Sequence, residues 1–156
     1  MLSSELLNTA RLLAKTRRGR GKPRQSDLRR AVSSSYYAIF HHLARSCADL
    51  MVGSVKRNRS KHAWNQVYRA LEHGAAKNAC VDGVIKKFPA EIQDFADTFR
   101  QLQEKRHVAD YAPDGKLTLS EVLTDIQSAE AAMTAFDGAP IKDRTAFCTF
   151  VLFKKR

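Results

Sequence analysis

A chain of 156 residues with 44% hydrophobic and 28% charged residues has the composition of one folded domain. No apolar run approaches the roughly 20 residues of a membrane-spanning helix, and Met1 to Leu7 lacks the basic start and apolar stretch of a secretory signal. The three cysteines, Cys47, Cys80 and Cys148, are odd in number and widely spaced, which argues against a disulfide framework and a thiolate zinc site and points to the reducing cytoplasm.

The net charge of +11 is unevenly placed. Residues 11 to 30 hold nine basic side chains against the single acid Asp27, so that stretch carries +8. Such an excess attracts phosphate by counterion release. Within it, residues 16–25 (T-R-R-G-R-G-K-P-R-Q) contain no apolar side chain and read as a basic loop. Arg17, Arg18, Arg20, Lys22 and Arg24 are its nucleic-acid-binding candidates, with Arg100 as a further one. A solvated loop and a contact for an acidic partner are the competing readings. Smaller basic clusters lie at Lys56, Arg57, Arg59 and Lys61 and at the C-terminal Lys154-Lys155-Arg156.

Apolar residues recur with helical period five times. The first segment, about residues 4–16, aligns Leu6, Leu7, Ala10, Leu13 and Ala14 and has Ser3 or Ser4 to cap it. The second, about 26–52, carries the seam Val32, Tyr36, Phe40, Leu43, Cys47 and Leu50 between a cap at Ser26 and a stop at Gly53. The third, about 61–73, follows Ser60, turns Trp64, Val67, Tyr68 and Leu71 inward and ends at Gly74. The fourth, about 89–111, starts at Pro89 and continues through Ile92, Phe95, Phe99 and Leu102 to Arg106 and Ala109. The fifth, about 119–137, opens on the capping box Thr118-x-x-Glu121. Thr145 to Phe153 is uncharged, aromatic and β-branched, and reads as a strand, a tail laid over the bundle, or a segment docked on a second subunit. The expected fold is all-α: an antiparallel bundle of four to five helices over residues 1–137, with a C-terminal apolar tail at 138–156.

Two places break the apolar pattern. In the second helix Tyr37 and His41 stand four residues apart, one turn along the same face, beside the seam at Tyr36 and Phe40. In the fourth, Arg106 takes a position on the apolar stripe, where an unpaired guanidinium is costly. Asp110, four residues on, is at ion-pair spacing. Either the pair locks the bundle, or Arg106 faces a cleft and is ready for a phosphate. No phosphate-binding glycine loop, zinc-helix motif or nucleophile elbow is present, and the five histidines show no metal spacing.

Ser35-Tyr36-Tyr37-Ala38-Ile39-Phe40-His41 resembles the S-x-Y-Y-A-x-F-H signature of the HEPN family, and Arg106-His107-Val108-Ala109-Asp110-Tyr111 resembles the R-x-x-A-D-Y of one of its branches. Lys61-His62 lies between them, where that branch often carries a histidine. The resemblance covers about residues 1–137. It implies a helical bundle, a homodimer and, in many members, a metal-independent ribonuclease of toxin or antiviral defence type with no cofactor. Arginine and histidine of both subunits would then line a cleft at the interface. The implied site residues are Arg106, His107, Asp110, Tyr111, His41 and Tyr37, and the implied partners are RNA, including tRNA, a second copy and, in some pairs, a small nucleotidyltransferase antitoxin that modifies a tyrosine such as Tyr111. Tyr111 stands where the family's histidine falls after Arg106. A second register, Arg100 to His107, restores a histidine at two-turn spacing on a neighbouring face. A nuclease using His107 or His41 and a non-catalytic module that binds nucleic acid, a nucleotide or a protein both fit this departure.

Overall fold

The computed structural model describes residues 1–16 and 21–154, so Arg17, Arg18 and Arg20 lie outside the described residues. Among those described, the chain forms seven α-helices and two short 3-10 turns, with no strand. The helices are α1 (Leu2–Lys15), α2 (Gln25–Met51), α3 (Lys61–Ala70), α4 (His73–Val81), α5 (Ala90–Tyr111), α6 (Leu119–Gly138) and α7 (Ile141–Leu152). None is long and apolar enough to cross a membrane.

The central element is α2, which packs against α1, α3, α5, α6 and α7. Its seam is buried as its periodicity requires: Val32, Tyr36, Leu43 and Cys47 are fully enclosed. Facing it are Ile92, Phe95, Phe99 and Leu102 of α5 and Val122, Ile126, Ala129 and Phe136 of α6. Thr118 accepts from the Glu121 amide while Glu121 reaches back to the Thr118 amide, which closes the capping box. Ser60 caps α3 through the Ala63 amide at 3.2 Å. Gly53, at φ +138°, carries the chain out of α2 through a conformation that side chains disfavour.

Several expectations are corrected. Neither Ser3 nor Ser4 caps α1, whose N-cap is Met1, and Ser3 is buried. Ser26 lies inside α2, because the helix begins at Gln25. The Gln25 side chain is tied to α6's approach, accepting from the Leu117 amide and donating to its carbonyl, both at 2.8 Å. The third helix stops at Ala70 rather than at residue 73. Leu71 turns into the core in extended conformation, and His73 opens a separate helix, α4, with Gly74 in its first turn. Among the described residues six helices, α1 to α6, occupy the region where four or five were expected, and α7 follows as a seventh.

The C-terminal segment is neither strand nor extended tail. Pro140 precedes α7, whose Phe147, Cys148 and Val151 form a buried stripe. Phe147 meets Phe88, Phe95 and Phe136 with ring centroids 5.9 to 6.1 Å apart. The buried, free thiols of Cys47 and Cys148 share a hydrogen bond, and this contact with burial holds Cys47 far above the ordinary thiol range. Local β propensity yields to this packing.

Candidate functional site

Tyr36 is fully buried on α2, so its hydroxyl needs a protein partner. It finds His73 Nδ1 at 2.6 Å, on the first residue of α4. Burial raises the phenol far above its ordinary range, partly opposed by Arg106, so Tyr36 keeps its proton. The hydroxyl therefore donates to Nδ1, and the His73 proton sits on Nε2. The His73 ring stacks on Phe40 at 3.9 Å and meets Tyr37 edge-on at 5.9 Å. Burial, then the nearby Arg106 and His41, push His73 below the ordinary imidazole range, which leaves it neutral at pH 7.

His41 stands one turn beyond Tyr37 on α2, with its ring 6.2 Å from that of Tyr37. Its Nδ1 pairs with the Tyr68 hydroxyl of α3 at 2.6 Å, and burial lowers its pKa. Burial raises Tyr68, with Arg45 opposing. Trp64 stacks on Tyr68 at 5.2 Å. Its indole donates to Asp49 at 2.8 Å, and Arg59 lies over its ring. Through these contacts α3 braces His41 against the end of α2.

Arg106 enters from α5. Its guanidinium carbon lies 5.1 Å from the Tyr36 ring centroid and 5.7 Å from that of Tyr37, within cation–π range. Only 13% of the side chain is exposed, and Nε is buried without a hydrogen-bond partner. Asp110 Oδ2 is 3.8 Å from Nη1, an ion pair beyond hydrogen-bond distance, and it accepts from Ser33 of α2 at 3.2 Å. Arg106 is thus held by aromatic faces more than by its carboxylate, which leaves donors for a ligand. One turn back, Gln103 donates to the His73 carbonyl at 3.1 Å while its Oε1 is buried and unpartnered. An open groove of about 350 Å³ passes Lys77, Gln103, Arg106 and His107.

The structure brings together Tyr37, His41, Arg106 and Asp110 and adds Tyr36, Tyr68, His73 and Gln103. His107 lines the same groove as Arg106, and Tyr111 lies one turn further along α5. Both are exposed, with rings 4.9 Å from each other on the solvent side of α5. Arg100 is engaged within α5, by Asp97 at 2.8 Å and Glu104 at 3.2 Å, so its register with His107 runs along the outer surface. Spacing carried no signal for His73, whose helix begins at an unmarked break. The one available hint was Tyr36, since a tyrosine on a buried seam needs a partner for its hydroxyl.

The basic stretch divides in the same way. Arg11 pairs with Glu130. Arg29 donates to the carbonyls of Ala109, Ala112 and Gly115 at 2.6 to 2.7 Å, closing the C-terminal end of α5. Lys22, Arg24 and Arg30 remain exposed, at the end of the bundle where α5 finishes. Among the described residues no group of three or more His, Cys, Asp or Glu side chains is placed to hold a metal ion.

Comparison with protein-family models, with curated proteins and with solved structures returns no match.

Proposed function

We propose that the chain is a HEPN-type module that binds RNA and cleaves it without a metal, at a cleft completed by a second copy. The observation that carries this reading is Arg106. A half-buried guanidinium with an unpartnered Nε rests on two tyrosine faces beside two histidines held neutral. Arginine in such a position suits a phosphate better than it suits the core. His41 suits proton transfer. Tyr68 is only partly buried, so its hydroxyl can turn its own hydrogen outward and accept from His41 Nδ1–H; in that tautomer Nε2 accepts the ribose 2′-hydroxyl proton. The 2′-oxygen then attacks phosphorus and the bond from phosphorus to the 5′-oxygen breaks. Arg106 stabilises the charge on the phosphate oxygens. The imidazolium so formed on His41 returns that proton to the leaving 5′-oxygen. Tyr111, 67% exposed, is open to modification by a small nucleotidyltransferase of the antitoxin kind.

Position supports a second reading, a binding module without cleavage: Tyr111, at the place of the family's expected histidine, is exposed and rests its ring against His107. One experiment separates the two. Mixed RNA including tRNA is incubated with wild type, Arg106→Met, His41→Gln, His107→Ala and Tyr111→Ala in the presence of EDTA, with folding checked by circular dichroism. The nuclease reading expects cleavage by wild type and at least ~100-fold less with Arg106→Met and His41→Gln, the usual size of a general acid–base contribution. RNA retention without cleavage selects the binding module. Cleavage that survives Arg106→Met rejects the site.

A further inference from the structure

Between Asp49 and Glu72 the sequence has no acidic residue, while it has Lys56, Arg57, Arg59, Lys61 and Arg69. The fold treats these cations differently. Arg59 is engaged inside the structure, bonded to Asp49 and to the Gly53 carbonyl at 3.0 and 2.9 Å and packed over Trp64. Lys56, Arg57, Lys61 and Arg69 are exposed, and among the described residues none makes an ion pair. Arg11, Lys77, Arg100 and Lys105 have carboxylate partners, while Lys22, Arg24, Arg30, Lys86, Lys87, Lys142 and Lys154 are exposed like the α3 cations but lie outside the run from Asp49 to Glu72.

The helix α3 explains the placement. Trp64, Val67 and Tyr68 turn toward α2, and Tyr68 holds His41. Lys61, Asn65 and Arg69 recur every four residues on the outward side, with His62 and Gln66 beside them. From Lys61 to Arg69 the row spans about 12 Å at 1.5 Å per residue. His62, Asn65, Gln66 and Arg69 line an open groove of about 500 Å³. The row adjoins the Tyr68 edge of the candidate site, since Asn65 and Tyr68 are three apart.

We infer that this outward face of α3, with Lys56 and Arg57, is a docking surface for the phosphate backbone of RNA, holding the strand whose neighbouring phosphate reaches Arg106. The inference rests on the RNA reading above and gives it a second contact surface. Charge complementarity selects the occupant: four unpaired cations interleaved with amides match phosphate and sugar oxygens. Trp64 is stacked on Tyr68 and covered by Arg59, which leaves the exposed His62 imidazole for base stacking, a sequence-tolerant contact. The face therefore positions RNA without reading its sequence.

The test is fluorescence anisotropy of full-length protein with a labelled mixed-sequence single-stranded RNA across a KCl series. Wild type is compared with the quadruple variant Lys56→Gln/Arg57→Gln/Lys61→Gln/Arg69→Gln. A charge-matched control, Lys86→Gln/Lys87→Gln/Lys142→Gln/Lys154→Gln, neutralises exposed lysines elsewhere. Melting temperatures confirm that all three fold. The expected result is weaker binding by the α3 variant, with a plot of log affinity against log salt shallower by about 3, at ~0.7 per lost phosphate contact. The control keeps the wild-type slope, and the α3 variant is equally weakened on different RNA sequences. An α3 variant that binds like wild type, or a control that weakens as much, overturns this inference alone. Wild type that binds no RNA, or that binds anionic phospholipid vesicles in its place, overturns it together with the RNA reading.

Discussion

Tyr36 and His73 show how one buried hydroxyl organises a site. A phenol enclosed on the α2 seam must give its proton to something, and the 2.6 Å contact to His73 Nδ1 is where it goes. The bond also fixes which nitrogen of His73 carries hydrogen, and so what His73 presents to a ligand. Tyr36→Phe removes the donor and strands Nδ1. The expected cost is about 1–3 kcal/mol of stability, read from urea midpoints, with a changed His73 tautomer in nitrogen NMR spectra. Unchanged stability and tautomer would show that the bond has no such role. Gln103 Oε1 and Arg106 Nε are the counterexample, two buried polar atoms left without partners three residues apart on α5. Native structures hold few such groups, and these two are the atoms that the proposed ligand would satisfy.

At the scale of elements, each helix carries a load that its local sequence shows unevenly. α5 carries Arg106 and is itself closed by Arg29 from α2, so one of the cations of the basic stretch 11–30 is an internal cap. α3 is short and has no fully buried residue, yet it supports His41 through Tyr68. α7 is the clearest case. Its residues favour strands in isolation, and it forms a helix because Phe147 fills a space among Phe88, Phe95 and Phe136. Phe147→Ala is expected to cost about 3–5 kcal/mol, as for other fully buried phenylalanines. Phe153→Ala, at a position 65% exposed, should stay within ~0.5 kcal/mol of wild type. Equal, small effects from both would make 141–152 a loosely attached appendage.

For the whole molecule, the two lowered imidazoles set a dependence on pH. His41 and His73 bind fewer protons when folded than when unfolded, because burial disfavours their charged forms. Where the unfolded chain binds more protons, stability rises with pH. Their contribution is thus complete above the ordinary imidazole pKa of 6.5 and is lost as pH falls through that value toward the folded pKa values. Thermal midpoints should decline from pH 7 to pH 5, and His41→Gln/His73→Gln should flatten that interval. An equally steep decline in the double variant would assign the effect to other groups.

What the sequence alone determined was local. The 3.6-residue repeat located α1, α2, α5 and α6, the Thr118–Glu121 box marked the start of α6, and two breaks in apolar pattern picked out Tyr37, His41, Arg106 and Asp110. These features lie within a few turns of one helix, where spacing along the chain is spacing in space. Only the tertiary structure decided which residues meet across helices. It ended α3 at Ala70 to bury Leu71 and brought His73 to Tyr36 from 37 residues away. It made α7 a helix, and it sorted Arg29 and Arg59 into the frame while leaving Lys61 and Arg69 on the surface. Such meetings depend on how helices cross and on long-range closure of the chain, which no local repeat encodes.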